Sequence, residues 1–336
     1  MPELGPEWDP DFLDLWNSAI GFYKIWILHL GRRYNIIQTL ACAKDPMPVS
    51  ELSKSLGLSE YALALWCNAA YSVGLLEKGE VGYCLPPRFI PLLADENDIR
   101  FIGGLPSYLA LRSLDFGSFD QLFIKGNVTS DQAHLNEAFQ AGTLWDHTAF
   151  IRLVLAKETG LAQLLRRDAK VLDVGTGTGG WIARLAKRYP SSTFTGIDPN
   201  PEAIAKATRC AKEDGLENAE FHIGYAETMG FNCEFDIAYL GEVLNLVKSD
   251  VGALEACYKA LKGGGTIVIC EGLASRLEGA RKIENQLVHA MQLDFALQGG
   301  RFFTRDQLAE LLEQAGFHNA RYYDVGGGLW FIVADK

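Results

Sequence analysis

The N-terminal part of the chain shows a helical spacing of apolar positions. Large apolar side chains recur every three or four residues from Asp11 to about Cys42, which predicts an amphipathic helix. A proline-containing break at residues 45–48 ends this pattern. The chain then continues with a predicted short helix at Val49–Leu56, a turn with Ser59 as N-cap, a helix at Glu60–Val73 and a small hairpin within Leu75–Leu85. This order is typical of a winged-helix module.

The C-terminal half shows a different rhythm, in which short β-type runs alternate with helical segments. The predicted strands are Lys170–Val174, Thr193–Ile197, Glu220–Ile223, Phe235–Leu240 and Thr266–Cys270. The predicted helices between and after them are Trp181–Tyr189, Pro201–Asp214, Val251–Leu261 and Ile283–Leu297. Such alternation predicts an α/β fold with a parallel sheet covered on both faces. Two last strands, Ala320–Val325 and Leu329–Ala334, flank three glycines and predict an antiparallel edge pair.

Composition and charge narrow the class of protein. The chain has 336 residues, 48% of them hydrophobic and 22% charged, and its net charge is −11. The hydrophobic and charged fractions are ordinary for a globular protein. At about 150 residues per domain, the length indicates two domains rather than one. The acidic balance disfavours nucleic-acid and anionic-membrane partners. The helix that would read DNA, residues 59–74, contains no Lys or Arg, which favours a packing role for it.

The cysteines and the first residues bear on location. Seven cysteines are scattered without any Cys-x-x-Cys pair, so we expect reduced thiols, no disulfide framework and no metal site. Residues 1–14 are acidic, unlike the start of a signal peptide. The apolar stretch at residues 16–30 is too short to span a bilayer. We therefore predict a cytoplasmic protein.

A glycine-rich loop follows the first strand of the C-terminal half. The segment from Val171 to Gly180 reads VLDVGTGTGG and stands where a strand gives way to a helix. At this switch point open α/β sheets bind cofactors, because glycines let the backbone turn sharply and approach a ligand. Asp198 ends the next strand, at the distance where an acid hydrogen-bonds ribose hydroxyls. The pattern predicts a nucleoside-containing ligand.

Two nucleoside-containing cofactors fit this loop. Gly175, Gly177 and Gly180 also satisfy the dinucleotide pattern of NAD sites. Carboxylates at Asp173 and Glu242 suit an ammonium and a sulfonium better than a pyrophosphate. No Arg follows Asp198 to take a 2′-phosphate, and the loop lies after a long helical segment instead of opening the chain. These features favour S-adenosylmethionine.

At these residues the chain resembles the class I methyltransferases, and with its N-terminal module it is similar to the small-molecule O-methyltransferases whose N-terminal domain dimerises. The resemblance rests on the glycine loop, Gly196–Asp198, Phe235–Asp236, Cys257–Gly265 and Gly299–Thr304, and covers about Trp16 to Lys336. It implies a Rossmann-like seven-stranded sheet and a homodimer acting on a small molecule. We accordingly divide the chain into a dimerisation domain (1–98), a helical linker and substrate cover (99–167) and a cofactor-binding domain (168–336).

The resemblance also implies the cofactor contacts. Asp173 and the loop glycines would hold the methionine part, Asp198 the ribose, and Ala226–Glu227 would lie beside the adenine, while the segment after Leu240 closes over the methionine end. Tyr225 stands where relatives often carry an Asp. The expected cofactor-binding set is Asp173, Gly175, Thr176, Gly177, Gly179, Asp198, Pro199, Tyr225, Ala226, Glu227 and Gly241.

One departure from the family concerns the general base. Relatives commonly carry a His after the fourth strand, yet residues 241–250 contain none. A phenol of pKa about 10 costs about 4 kcal/mol to ionise at pH 7, whereas a thioether sulfur has no proton to lose. The absence favours sulfonium-forming S-methylation of a thioether acid, as in the methylthiohydroxybutyrate S-methyltransferases of dimethylsulfoniopropionate synthesis.

Other readings stay open at this stage. O-methylation would need another base, for which His147 and His289 are candidates, with Glu242 a further catalytic candidate. The expected substrate-binding residues are Trp145, Arg112, Arg152, Arg281, Met291 and Phe295, the arginines because a guanidinium pairs bidentately with a carboxylate. Each of these side chains could equally be plain core or solvated surface. A third reading is a winged-helix regulator or a non-catalytic nucleoside-binding protein.

Overall fold

The computed structural model describes residues 9–128 and 134–336, which pack as two compact units. The N-terminal unit comprises residues up to 114 together with 137–145, and the second comprises 115–136 together with 146–336. Within the described residues no helix is long and apolar enough to cross a membrane.

The N-terminal unit is built mainly from helices, packed around a core that includes Leu40, Leu52, Leu63, Trp66 and Cys67. The predicted helix over 11–42 is wrong in one respect, because it breaks at Asn35, whose φ of +56° is left-handed and cannot continue a helix. The elements of this part are α1 (Pro10–Arg33), α2 (Ile36–Cys42), α3 (Val49–Leu56), α4 (Glu60–Ser72), β1 (Glu77–Lys78), β2 (Tyr83–Cys84), α5 (Ile90–Leu93) and α6 (Gly104–Ser113).

The predicted helix–turn–helix and hairpin are confirmed. Ser59 caps α4 as expected, since its side chain accepts a hydrogen bond from the Ala62 N–H at 3.4 Å. Strands β1 and β2 pair antiparallel.

Several further helices follow the hairpin along the chain and precede the first strand of the large sheet. They are α7 (Phe119–Lys125), α8 (Leu135–Gly142), α9 (Leu144–Ala149), a π-helical segment (Phe150–Val154), α10 (Leu155–Lys157) and α11 (Thr159–Arg167). π-Helical turns are rare and often occur near functional sites.

The second unit contains a seven-stranded sheet, in the order β5-β4-β3-β6-β7-β9-β8. Strands β3 to β7 are parallel, and β9 runs antiparallel to both of its neighbours, so the predicted C-terminal edge pair is confirmed. The strands are β3 (Lys170–Val174), β4 (Thr193–Asp198), β5 (Ala219–Ile223), β6 (Phe235–Gly241), β7 (Leu261–Gly272), β8 (His318–Gly326) and β9 (Leu329–Asp335).

Helices connect the strands of this sheet. They are α12 (Gly180–Arg188), α13 (Pro201–Glu213), α14 (Asp250–Ala260), α15 (Ile283–Ala296) and α16 (Arg305–Gln314). Strand β7 begins at Leu261, five residues earlier than predicted and directly after α14, because Leu261 pairs with Phe235.

One face of the sheet carries an aromatic cluster beneath the site. The Trp181 and Tyr239 rings stack at 3.9 Å with an interplanar angle of 4°, and Phe150 packs against both. Burying rings of this size stabilises the fold by roughly 2 kcal/mol each or more. The cluster fixes the segment around Phe150 against the carboxyl ends of the central strands, where the polar residues of the site gather.

Candidate functional site

The glycine loop and Asp198 form one hydrogen-bonded unit. The N–H groups of Gly175 and Thr176 donate to the Ile197 carbonyl, at 2.8 and 2.9 Å. The Asp198 carboxylate accepts from Gly177 N–H at 3.0 Å and from Asn200 N–H at 2.8 Å. Burial raises the pKa of Asp198, and these two hydrogen bonds oppose the rise. The predicted neighbours on β3 and β4 are thus brought together at one edge of the sheet.

The loop glycines differ in the space around them. A Cβ at Gly175 would lie 2.3 Å from Val243 Cγ2, so the segment after β6 packs directly on the loop. A Cβ at Gly177 would meet no protein atom within 4 Å among the described residues, although its φ is +54°. Gly177 therefore borders open space beside Asp198, as a ligand-binding loop requires.

Alanine substitutions should separate stability from ligand binding at these two glycines. We expect Gly175→Ala to lower the thermal midpoint clearly, because its methyl group overlaps Val243. Gly177→Ala should cost about 1 kcal/mol of stability from its left-handed backbone but weaken binding of S-adenosylhomocysteine at least about 10-fold. Thermal denaturation and calorimetric titration of both variants measure the two effects. A Gly177→Ala protein with wild-type affinity would contradict this assignment.

The residues expected beside the adenine differ in their exposure to solvent. Ala226 is buried, whereas Tyr225 is 54% exposed, with Lys248 Nζ 6.0 Å from its ring centroid. The Glu227 carboxylate accepts from the backbone N–H groups of Lys248 and Ser249. Glu227 therefore fastens the segment between β6 and α14 in addition to any role beside a ligand.

Acidic groups gather at the carboxyl ends of β3, β6 and β7. Asp173 is buried, and this burial raises its pKa to about 7, with the charge of Asp198 adding to the rise. One oxygen each of Asp146 and Glu242 and the Sγ of Cys270 lie within 4.8 Å of one another. Such a group could hold a cation, and it lies at the end of the sheet that carries the glycine loop.

Glu242 differs from its neighbours in exposure and backbone. It is partly exposed, whereas Asp146, Cys270 and Glu271 are buried. Its φ of +56° is left-handed, a costly conformation for a residue with a side chain, and such strain is often found at functional sites. Burial raises the pKa of Glu242 well above its usual range, and the charges of Glu271 and Asp146 add to the rise.

Glu271 anchors the segment that follows β6. Its Oε1 accepts from Leu244 N–H at 2.7 Å and its Oε2 from Asn245 Nδ2 at 2.9 Å. Burial raises the pKa of Glu271 above its usual range. The Asn245 amide favours the ionised form of Glu242 and so opposes part of the rise in the pKa of Glu242.

The stability of the free protein should fall as pH rises from about 5 to about 8. The pKa of Asp173 is raised to about 7, against about 3.9 in an unfolded chain. Between these values the folded state binds more protons than the unfolded chain, so the free energy of unfolding decreases with rising pH. Asp146, Glu242 and Glu271 are shifted in the same direction.

Denaturant unfolding at about pH 5.5 and about pH 8.5 measures this slope. Asp173→Asn should flatten it. The matched control Asp214→Asn, which removes only an exposed carboxylate paired with Lys187, should not. Constant or rising stability over this interval would show that the buried carboxyl groups are ionised in the free protein.

The two histidine candidates occupy different surroundings. His147 is buried, and a Cβ at Gly180 would lie 3.4 Å from its Cε1, which places it beside the start of α12. Burial lowers the pKa of His147 to about 3, and the charge of Arg184 adds to this. His289 is partly buried on α15, with its Nε2 3.1 Å from Ser275 Oγ.

The expected substrate-binding residues are dispersed. Trp145 and Arg112 belong to the N-terminal unit, where Trp145 Nε1 donates to the Ile99 carbonyl at 2.8 Å and Arg112 is fully buried. Arg152 and Arg281 are exposed and Met291 is partly buried. Phe295 is buried against Phe302, with ring centroids 4.3 Å apart. Their roles in binding substrate stay predictions.

Sequence reasoning did not single out Asp146, Asn245, Cys270 or Glu271. Asp146 lies far from β6 and β7 along the chain, and only the packing of α9 brings it to them. The available signals were the polar Asn245 within an otherwise apolar stretch and Glu271 directly after a buried strand. Neither shows by itself that the two side chains meet.

Comparison with known proteins agrees with this geometry. Residues 165–316 match the family described as "Methyltransferase domain". The demethylmenaquinone methyltransferase of Listeria monocytogenes serotype 4b is 26% identical over 192 residues, covering 51% of this chain and 79% of that protein. The demethylspheroidene O-methyltransferase of Rhodobacter capsulatus is 26% identical over 325 residues, covering 90% of this chain and 76% of that protein.

A solved structure shows the same fold over the whole chain. The crystal structure of human N-acetylserotonin methyltransferase in complex with S-adenosylmethionine superposes with a TM-score of 0.74 at 20% identity and covers 99% of both chains. The glycine loop, the acid that ends β4 and the five parallel strands of the sheet occur together in residues 165–316. Residues 165–316 therefore match the methyltransferase domain family, and this match together with the shared fold supports S-adenosylmethionine as the cofactor.

Proposed function

We propose that the chain methylates a hydroxyl oxygen of a small organic molecule, with Glu242 as the general base. The observation that carries this proposal is the position of Glu242, a partly exposed residue whose carboxyl group belongs to a largely buried acidic cluster beside the glycine loop. The relative from Rhodobacter capsulatus that aligns with 90% of this chain is named an O-methyltransferase. This name supports an oxygen acceptor.

The environment of Glu242 suits proton removal. A general base works best when its pKa lies near the working pH, and desolvation moves a carboxyl group in that direction. His147 is a poor base by the same criterion, because burial lowers its pKa to about 3. His289, beside Ser275, is the remaining histidine candidate.

The residues present fit S-adenosylmethionine. Asp198 offers a carboxylate for the ribose hydroxyls, Gly177 borders open space, and Asp173 with Glu242 supplies negative charge for a cationic ligand. When bound, this cofactor supplies an electrophilic methyl group on a sulfonium. A positive charge near Glu242 also favours its ionised, proton-accepting form.

The reaction then requires little of the protein beyond positioning and one proton transfer. A bound cofactor would supply its methyl group to the acceptor oxygen and would keep the electron pair of the broken carbon–sulfur bond on its sulfur. The hydroxyl proton passes to the Glu242 carboxylate. Holding the acceptor in line in a dry site contributes roughly 7–11 kcal/mol to such a reaction.

A second candidate is S-methylation of a thioether acid, of the methylthiohydroxybutyrate kind. It is supported by the lack of a His in residues 241–250 and by the acidic surroundings of Glu242, which suit a sulfonium product. This reaction needs no base.

An acceptor screen with labelled S-adenosylmethionine tests the proposal. The panel contains phenol, catechol, 2-hydroxy acids and 4-methylthio-2-hydroxybutyrate. We expect label in a methyl ether and a rate that rises with pH. Label confined to a sulfonium product, formed at a pH-independent rate, would overturn O-methylation in favour of the second candidate.

We further propose a homodimer formed through α1. Several large apolar side chains on this helix are exposed, including Leu15 at 74%, Trp16 at 50% and Tyr23 at 68%. Exposed apolar patches of this kind mark association surfaces. Sedimentation equilibrium should give twice the chain mass, and Leu15→Glu with Tyr23→Glu should give a monomer. A monomeric wild type would contradict this proposal.

A cytoplasmic location is likewise proposed, supported by seven free thiols. A DNA-binding regulator is disfavoured by the lack of Lys and Arg in residues 59–74. A gel shift at low salt tests that alternative.

A further inference from the structure

Asn245 carries a buried carbonyl oxygen that no described residue satisfies. The residue is 5% exposed, and its Oδ1 has no hydrogen-bond partner among the described residues. Buried polar atoms nearly always have a partner, and leaving one unpaired costs about 1–3 kcal/mol. A hydrogen-bond donor for this oxygen has to come from outside the described residues, and a bound ligand can supply one.

The amide cannot turn away to find a donor within the protein. Its Nδ2 donates to Glu271 Oε2 at 2.9 Å. Glu271 is itself held by Leu244 N–H at 2.7 Å. Because the nitrogen is held by the Glu271 carboxyl group, the orientation of the amide and of its oxygen is set.

Asn245 stands three residues after Glu242 in the chain and holds Glu271, whose charge acts on Glu242. The charges that act on Glu242 are those of Glu271 and Asp146, whereas the charge that acts on Asp173 is that of Asp198. Val243, two residues before Asn245, packs on the glycine loop at Gly175. The oxygen is therefore associated with the group that we assign to proton removal, next to the cofactor loop.

We propose that Asn245 is a specificity-determining residue, whose Oδ1 accepts a hydrogen bond from a second O–H or N–H of the methyl acceptor. The reacting hydroxyl donates to Glu242, so the group that meets Asn245 is a neighbouring donor. The preferred acceptors then carry two adjacent donors, as a vicinal diol, a catechol or a hydroxy amide does. This inference rests on the proposed O-methylation.

Catechol and phenol form a matched pair of probes, because they differ by one hydroxyl. In the wild type we expect kcat/KM for catechol to exceed that for phenol by about 10-fold, the effect of one hydrogen bond to a buried group. Asn245→Leu keeps the size of the side chain and removes the oxygen. It should raise KM for catechol about 10-fold and bring the two probes to similar kcat/KM.

The control is Asn68→Leu. Asn68 Oδ1 already accepts a hydrogen bond from Tyr83 O–H at 2.7 Å, in the N-terminal unit. The variant therefore loses a hydrogen bond within the chain and should keep the wild-type preference for catechol over phenol. Binding of S-adenosylhomocysteine is measured calorimetrically for both variants, and neither should change it by more than about twofold.

Each outcome decides the inference. Equal effects of Asn245→Leu on both probes, or an unchanged KM, would mean that water satisfies Oδ1 and would overturn it. Weakened S-adenosylhomocysteine binding in Asn245→Leu, with the preference for catechol kept, would assign the oxygen to the cofactor ammonium and would also overturn it. If the wild type methylates no hydroxyl compound, the proposed function itself fails and this inference falls with it.

Discussion

Asp198→Ala should weaken binding of S-adenosylhomocysteine by about 100-fold or more. The carboxylate ends β4 and is half-buried beside the open space at Gly177. Hydrogen bonds to charged groups contribute about 1.5–3 kcal/mol each, and a ribose offers two hydroxyls. The variant also loses the bonds from Gly177 N–H and Asn200 N–H that shape the loop.

Calorimetric titration measures this loss, and thermal denaturation checks that the variant is folded. Asp198→Asn keeps the size of the side chain and should recover part of the affinity. The surface variant Asp214→Ala should bind like the wild type, since Asp214 pairs only with exposed Lys187. Wild-type affinity in folded Asp198→Ala would mean that the ligand does not lie against the end of β4.

Glu242→Gln should lower kcat for hydroxyl acceptors by about 10²- to 10⁴-fold, which is the contribution of a positioned general base. The amide keeps the shape of the side chain and removes its negative charge. In the wild type, kcat should rise with pH, because Glu242 must be ionised to accept a proton and burial raises its pKa. In Glu242→Gln that rise should disappear.

The contrasting variant is His289→Ala, which removes the partner of Ser275. If Glu242 is the base, His289→Ala keeps the pH-dependent rise and loses little kcat. A rise that disappears in His289→Ala and persists in Glu242→Gln would transfer the role of base to His289. An unchanged kcat in both variants would favour the base-free S-methylation.

The fold of the second unit could be predicted largely from local patterns. Strands β3 to β6 and their helices follow the alternation of short apolar runs with segments of helical spacing. The three glycines at residues 326–328 predict the turn of the antiparallel pair. The cofactor side was predictable for the same reason, because the glycine loop and Asp198 follow consecutive strands whose carboxyl ends must lie together. The break at Asn35 was not visible, since a single left-handed residue leaves the apolar spacing almost unchanged.

The acceptor side was predictable only in part. Glu242 could be named because it follows a strand next to the loop. Asp146 reaches this place from α9 through tertiary packing around Phe150, which no spacing along the chain reveals. The hydrogen bonds that Glu271 accepts from Leu244 and Asn245 depend on the left-handed turn at Glu242 and on side-chain rotamers. Such features are decided by packing and not by residue type.

The most direct measurement is calorimetric titration of the intact protein with S-adenosylhomocysteine and, side by side, with NAD. The carboxylates of Asp173, Asp198 and Glu242 favour the ammonium-bearing nucleoside and repel a pyrophosphate. We expect saturable binding of S-adenosylhomocysteine that is lost in Asp198→Ala, and no binding of NAD. Binding of NAD without binding of S-adenosylhomocysteine would contradict the assignment of this site to methyl transfer.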